Sequence, residues 1–162
     1  MTHDVVIVGY GPTGMLAAIL LGRAGHRVAV FDRYKTLYNL PRVGIVHDDI
    51  LRIFQEIGII ERIWPATQFL PTYELAKHGK VLLSSDVAPY ATHGWPEYIS
   101  IYQPAFEGEL DAIAKSVPNV EVFQGQKVVE LSQNNEHVEV TVEDELGSRR
   151  LVLAAISSLG EM

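Results

Sequence analysis

The stretch from Val5 to Asp32 most limits what this chain can become. A short β-branched run, Val5-Val6-Ile7-Val8, leads straight into Gly9-Tyr10-Gly11-Pro12-Thr13-Gly14. An apolar run without alternation reads as a strand covered on both faces, the habit of a parallel sheet. Met15 to Ala24 is rich in Ala and Leu and stops at Gly25, which predicts a helix with a glycine just past its end. Pro12 suits the first helical turn, where an N–H would have no intrahelical acceptor. Val28-Ala29-Val30 begins a second strand that ends at Phe31-Asp32. Strand, glycine turn, helix and strand make a βαβ unit, so a Rossmann-like α/β fold with a mostly parallel sheet is expected.

Each glycine in such a unit has a mechanical task. Gly9 permits the tight turn out of the strand, Gly11 lets a pyrophosphate approach bare backbone, and Gly14, with the small Ala18, lets the helix pack close to the strands. The free N–H groups at the helix start, around Thr13, face the phosphates, and the helix dipole adds about 0.3–1 kcal/mol for an anion. Asp32 follows Gly14 by 18 residues, close to the ~20 expected of a carboxylate that accepts ribose hydroxyls. An acid there disfavours a 2′-phosphate, so FAD or NAD suits the turn better than NADP. Spacing alone leaves FAD and NAD both open.

The rest of the chain reads as more of one globular unit. Asp48 or Asp49 can cap a helix whose Ile50, Ile53, Phe54 and Ile57 recur at i, i+3, i+4 and i+7 before Gly58. Residues 72–85 predict a hairpin turning near His78-Gly79, and 98–102 a further strand. Gln103-Pro104 opens a helix with Phe106, Leu110 and Ile113 on one face. Val120 to Phe123 is a short strand. Lys127–Leu131 and Val138–Val142 alternate around Asn134-Asn135 as a β-meander arm, and Arg150–Leu153 begins another strand.

Composition removes several classes of function. A chain of 162 residues that is 48% hydrophobic and 20% charged is ordinary for a folded domain and argues against disorder. The net charge of −7 without a basic run leaves no nucleic acid or anionic membrane among the expected partners. With no cysteine there can be no disulfide scaffold, thiolate nucleophile or Cys-ligated metal; a reducing, cytoplasmic setting fits. Val5–Leu21 is apolar, but Gly9, Gly11, Pro12 and Gly14 interrupt it and it falls short of the ~20 residues of a membrane span. The start Met1-Thr2-His3-Asp4 lacks the basic region of a signal peptide. The histidines form no metal-ligand spacing, no G-x-S-x-G elbow is present, and no metal site is expected.

Four segments carry a more specific likeness. They are Asp4 to Gly14 with Phe31-Asp32-Arg33, then Leu40-Pro41-Arg42 with Asp48 to Phe54, then Tyr102-Gln103-Pro104-Ala105-Phe106-Glu107, and Gly125 to Leu131. In this order they resemble the single-component (class A) flavoprotein aromatic hydroxylases, most closely the 3-(3-hydroxyphenyl)propionate hydroxylase-like members. The resemblance implies FAD as cofactor. It implies that Arg42 reaches the pyrophosphate or flavin side, that Gln103 bonds the ribityl chain, that Arg33 lies by the adenosine and that Val128 offers main-chain contacts to adenine. His47 would lie near the flavin ring edge. It also implies monooxygenase chemistry: NADH or NADPH reduces the flavin, O₂ is captured as a C4a-hydroperoxide, and a small phenolic substrate receives the hydroxyl. No acid or base of this chain is singled out for the reaction.

The likeness has one departure. The family carries an Asp-Gly motif after the strand matching Leu151–Leu153, where this chain reads Ala154 to Met162 without it. Residues 1–162 are therefore expected to be an incomplete N-terminal FAD-binding domain, with 70–102 as the start of a substrate-binding sheet. A homodimer or a second chain would complete the site. The alternatives are an NAD-dependent reductase domain or an interaction module without catalysis of its own.

Overall fold

A computed structural model describes residues 2–40 and 44–155. In chain order the elements are β1 (Thr2–His3), β2 (Val5–Val8), α1 (Pro12–Arg23), β3 (Val28–Asp32), β4 (Ile45–His47), α2 (Asp48–Glu56), α3 (Ile60–Ile63), β5 (Thr67–Phe69), β6 (Thr72–Lys77), β7 (Lys80–Asp86), β8 (Tyr98–Ile101), α4 (Gln103–Ser116), β9 (Val120–Gln124), β10 (Lys127–Gln133), β11 (His137–Glu143) and β12 (Arg149–Ala155). They fall into two compact units, one from residues up to Leu37 and from Leu110 onward, the other from Tyr38 to Glu109.

The first unit holds a parallel sheet in the order β2-β3-β9, with Val5 opposite Val28 and Val28 opposite Val120. Central β3 is buried from Val28 to Phe31, as an unbroken apolar strand should be. β2 was expected to be covered on both faces and is not. Among the described residues it is an outer strand paired with β3, and Val8 at its end is 60% exposed. Helix α1 begins at Pro12, which takes the expected place in the first turn, three residues ahead of the apolar run from Met15, with Gly11 as N-cap. Its buried residues are Met15, Ala18, Ile19 and Gly22. A methyl on Gly22 would come within 2.5 Å of Val120 and 2.8 Å of Val117, so that glycine sets how closely α1 lies against the segment before β9.

A second sheet of this unit runs β1-β12-β11-β10, with β1 parallel to β12 and the rest antiparallel. This is the expected meander, extended by the two-residue β1. Val140, Val142 and Val152 of the meander pack with Ala29 and Phe31 of β3. Phe31 and Phe123 stack at 4.9 Å, and the Arg150 guanidinium lies over both rings.

The second unit holds the antiparallel sheet β4-β8-β5 and the hairpin β6-β7. The hairpin turns at His78 and Gly79, both at positive φ (51° and 76°), the conformation a tight two-residue turn demands. Every residue of β6 and β7 is exposed. Helix α2 buries Leu51 and Phe54, so the stripe is centred one residue away from the expected Ile50, Ile53 and Ile57, which are half-buried on its flanks. The expected cap by Asp48 or Asp49 is also corrected: His47 is the N-cap residue, and both acids stand inside the first turn, where they face the positive helix end. Asp48 is held by His93, through the main-chain N–H at 3.1 Å and Nδ1 at 2.9 Å. Phe106 on α4 packs against Phe54 at 5.7 Å. Among the described residues no helix is long and apolar enough to cross a membrane.

Candidate functional site

The glycine turn follows from backbone sterics and three hydrogen bonds. Gly9 has φ +104°, a region an L side chain rarely enters. Its N–H donates to the Phe31 carbonyl at 2.8 Å, and the Tyr10 N–H donates to Asp32 Oδ2 at 2.7 Å. The N–H of Tyr34 donates to Asp32 Oδ1 at 2.8 Å. The end of β3 thus clamps the end of β2, and the carboxylate of Asp32 is oriented by one main-chain donor on each oxygen. Each oxygen keeps further lone-pair capacity, as accepting a sugar hydroxyl requires.

The helix start beyond the turn is open to an anion. Gly11 caps α1 without any side-chain bond, Pro12 is at the first helical position, and the first turn holds no acid. Met15 N–H is bonded to the Gly11 carbonyl at 2.9 Å. The N–H groups of Thr13 and Gly14 come before it and have no acceptor within the helix. A methyl on Gly11 would meet nothing within 4 Å, so that face of the turn is clear. A methyl on Gly14 would sit 2.1 Å from the Gly9 carbonyl oxygen, so here the backbones themselves touch. Positive helix end, bare backbone and open approach make a cradle for a diphosphate.

The structure brings Gly9, Gly11, Pro12, Thr13, Gly14 and Asp32 together at the carboxyl end of the parallel strands. Arg33 follows, exposed, with Nη2 donating to the Tyr34 hydroxyl at 2.8 Å and its guanidinium 4.7 Å from that ring. The loop before β10 is tied back to this corner by Gln126 N–H to the Asp32 carbonyl (2.9 Å) and Gly125 N–H to the Tyr34 carbonyl (3.0 Å). Val128 comes next on β10, the last strand of its sheet, where the register slips between Val128 and Glu130. An outer strand with a bulge leaves main-chain groups unpaired. Gln103 lies in the other unit; it is 2% exposed and its Nε2 donates to Glu107 Oε1. His47, also there, meets the Tyr98 ring edge-on at 4.5 Å. Arg42 lies outside the described residues. Among the described residues no cluster of His, Asp and Glu could hold a metal.

Sequence reasoning missed Tyr10 and Tyr34. Tyr10 stands inside the glycine motif and is buried, while Tyr34 is exposed beside Arg33.

Fold and turn define a dinucleotide-binding α/β unit. Residues 2–155 match the family described as FAD binding domain, and the chain belongs to it. It is 40% identical over 153 residues to "Probable NADH-specific resorcinol 4-hydroxylase" of Rhodococcus jostii (strain RHA1), covering 93% of this chain and 29% of that one. It is 37% identical over 140 residues to a 3-(3-hydroxy-phenyl)propionate/3-hydroxycinnamic acid hydroxylase of Mycolicibacterium gilvum (strain PYR-GCK), covering 85% of this chain and 24% of the relative. Among solved structures, p-nitrophenol 4-monooxygenase of Pseudomonas putida DLL-E4 superposes with a TM-score of 0.84 at 25% identity, over 95% of this chain and 40% of that one. These relatives are the aromatic hydroxylases the sequence resembles. The chain spans under a third of the two relatives' length.

Proposed function

We propose that this chain is the FAD-holding portion of a flavoprotein monooxygenase that hydroxylates a small phenolic substrate with O₂, using NADH or NADPH as reductant. The observation that carries it is the cradle: an uncapped helix start at a side-chain-free Gly11, beside a carboxylate fixed by two main-chain donors. In this reading the N–H groups of Thr13 and Gly14 hold the pyrophosphate, Asp32 accepts the ribose hydroxyls, and Arg33 and the Val128 main chain flank the adenosine. Arg42 and Gln103 are assigned to the flavin side by family resemblance. When bound, FAD supplies the electron transfer from the nicotinamide and the activation of O₂. The residues named here bind and orient it. The name of the Rhodococcus relative supports NADH as the reductant. A cytoplasmic setting, where reduced nicotinamide is available, belongs to the same reading.

The relatives are more than three times as long, so hydroxylation is expected to need parts of the fold beyond residues 1–162, and FAD binding by these residues alone is expected to be weak. Titrating the purified chain with FAD and following flavin fluorescence tests the reading. Saturable quenching, with NADH oxidation yielding mainly H₂O₂ in the presence of resorcinol, is expected. A protein that ignores FAD and binds NADH instead would overturn it in favour of a reductase domain.

A further inference from the structure

Arg150 is exposed at the start of β12, yet its guanidinium lies against the stacked pair Phe31 and Phe123, 5.4 Å from the centre of one ring and 4.8 Å from the other. Its Nη2 donates to Gln126 Oε1 at 2.6 Å. The neighbouring Arg149 is engaged elsewhere, with Nε donating to Glu143 Oε2 at 2.7 Å between the paired strands β11 and β12. The residues that Arg150 meets surround Asp32. Phe31 precedes it on β3, and Phe123 stands opposite Phe31 in the parallel sheet. Gln126 donates its main-chain N–H to the Asp32 carbonyl at 2.9 Å. Gly125, at φ +76°, gives the loop between β9 and β10 its turn. An apolar side chain at position 150 could cover the two rings as arginine does. What the guanidinium adds is a flat cation suited to a ring face and, from the same group, a donor aimed at Gln126.

From this convergence we infer that Arg150 is a positioning residue for the adenosine end of the cofactor, holding the loop before β10 against the end of β3. The inference rests on the reading that Asp32 and the Val128 main chain flank the adenosine. Those two groups belong to different sheets, on β3 and β10, and the loop through Gln126 joins them. Gln126 is bonded to Asp32 and stands two residues before Val128, so a fixed Gln126 side chain fixes the spacing of the two contacts. An adenosine then meets both without having to order the loop. Preorganisation of this kind lowers the cost of binding rather than adding a contact to the ligand. The effect belongs to the adenosine half alone. The start of α1, which would take the diphosphate, is set by its own bond from Met15 N–H to the Gly11 carbonyl.

The test is a calorimetric titration of the chain as it stands with ADP, and separately with inorganic pyrophosphate, which lacks the adenosine. Arg150→Met still covers the rings but removes the donor, and Gln126→Leu removes the acceptor while keeping the main-chain N–H. Arg150 is exposed and Gln126 half-buried, so both variants are expected to fold. Each is expected to weaken ADP about fivefold, and the double variant is expected to be no weaker than either single, because both break one connection. Pyrophosphate should bind all four proteins alike, a split that general destabilisation would not produce. In hydrogen exchange the amides of Gly125 and Gln126 should exchange faster in both variants, while those of α1 stay as protected as in the unchanged chain. If either variant binds ADP as the unchanged chain does, if the two effects multiply, or if pyrophosphate weakens as much as ADP, the role of Arg150 is refuted while the diphosphate site stands. If the unchanged chain itself ignores ADP, the site and the role fall together.

Discussion

A methyl group added at Gly11 has open space, whereas one added at Gly14 strikes the Gly9 carbonyl oxygen. Two glycines of one motif therefore respond differently to the same change. Gly11→Ala should cost about 0.5–1 kcal/mol, since alanine is a poorer N-cap than glycine, yet weaken ADP about tenfold or more by filling the phosphate approach. Gly14→Ala should destabilise by about 1–3 kcal/mol because backbone must move. Thermal unfolding read beside an ADP titration checks both. Equal losses of stability would show that the cradle geometry is misread. At this scale the meeting of the glycines and Asp32 in one turn was legible because their spacing is local.

Elements show where local pattern gives way to pairing. The apolar run of β2 matched that of β3, but only β3 has a neighbour on each side, so burial differs between strands of like composition. The strands β4 and β5 were not expected at all; each has three residues and exists through its pairing with β8. In α2 the periodicity was read correctly: Phe54 is buried as expected, packed against Phe106, and Leu51 rather than Ile50 or Ile53 is buried with it. The hairpin was fully legible, its turn being encoded by His78-Gly79. With every residue exposed, its amides should exchange far faster than those of β3 in a hydrogen-exchange experiment. Equal protection would show that the hairpin is covered.

The entry to the parallel sheet also carries a pH signature. The Arg27 side chain, and then its main-chain N–H, hold the Asp4 carboxyl down at about 2, against 3.8 for the free group. A depressed folded value means the contribution is complete above pH 3.8 and is lost as pH falls toward 2. Asp4→Asn should therefore lower the urea midpoint at pH 7, and the gap to the unchanged chain should close on acidification to pH 2. A gap that persists unchanged at pH 2 would contradict the pairing.

At the scale of the whole molecule the chain divides into two units, one with the glycine turn and one with Gln103 and the exposed hairpin. This division was not legible, because no linker of distinctive composition marks Leu37-Tyr38 or Glu109-Leu110. The family was legible, because its segments are short, ordered and chemically specific. The most direct measurement is calorimetric titration of FAD into the unchanged chain and into Gly11→Val, with the unfolding midpoint of each recorded alongside. One-to-one saturable binding by the unchanged chain, lost in a Gly11→Val protein that unfolds at nearly the same temperature, is the predicted result. Equal binding by both proteins, or none by either, would contradict a diphosphate cradle at this turn.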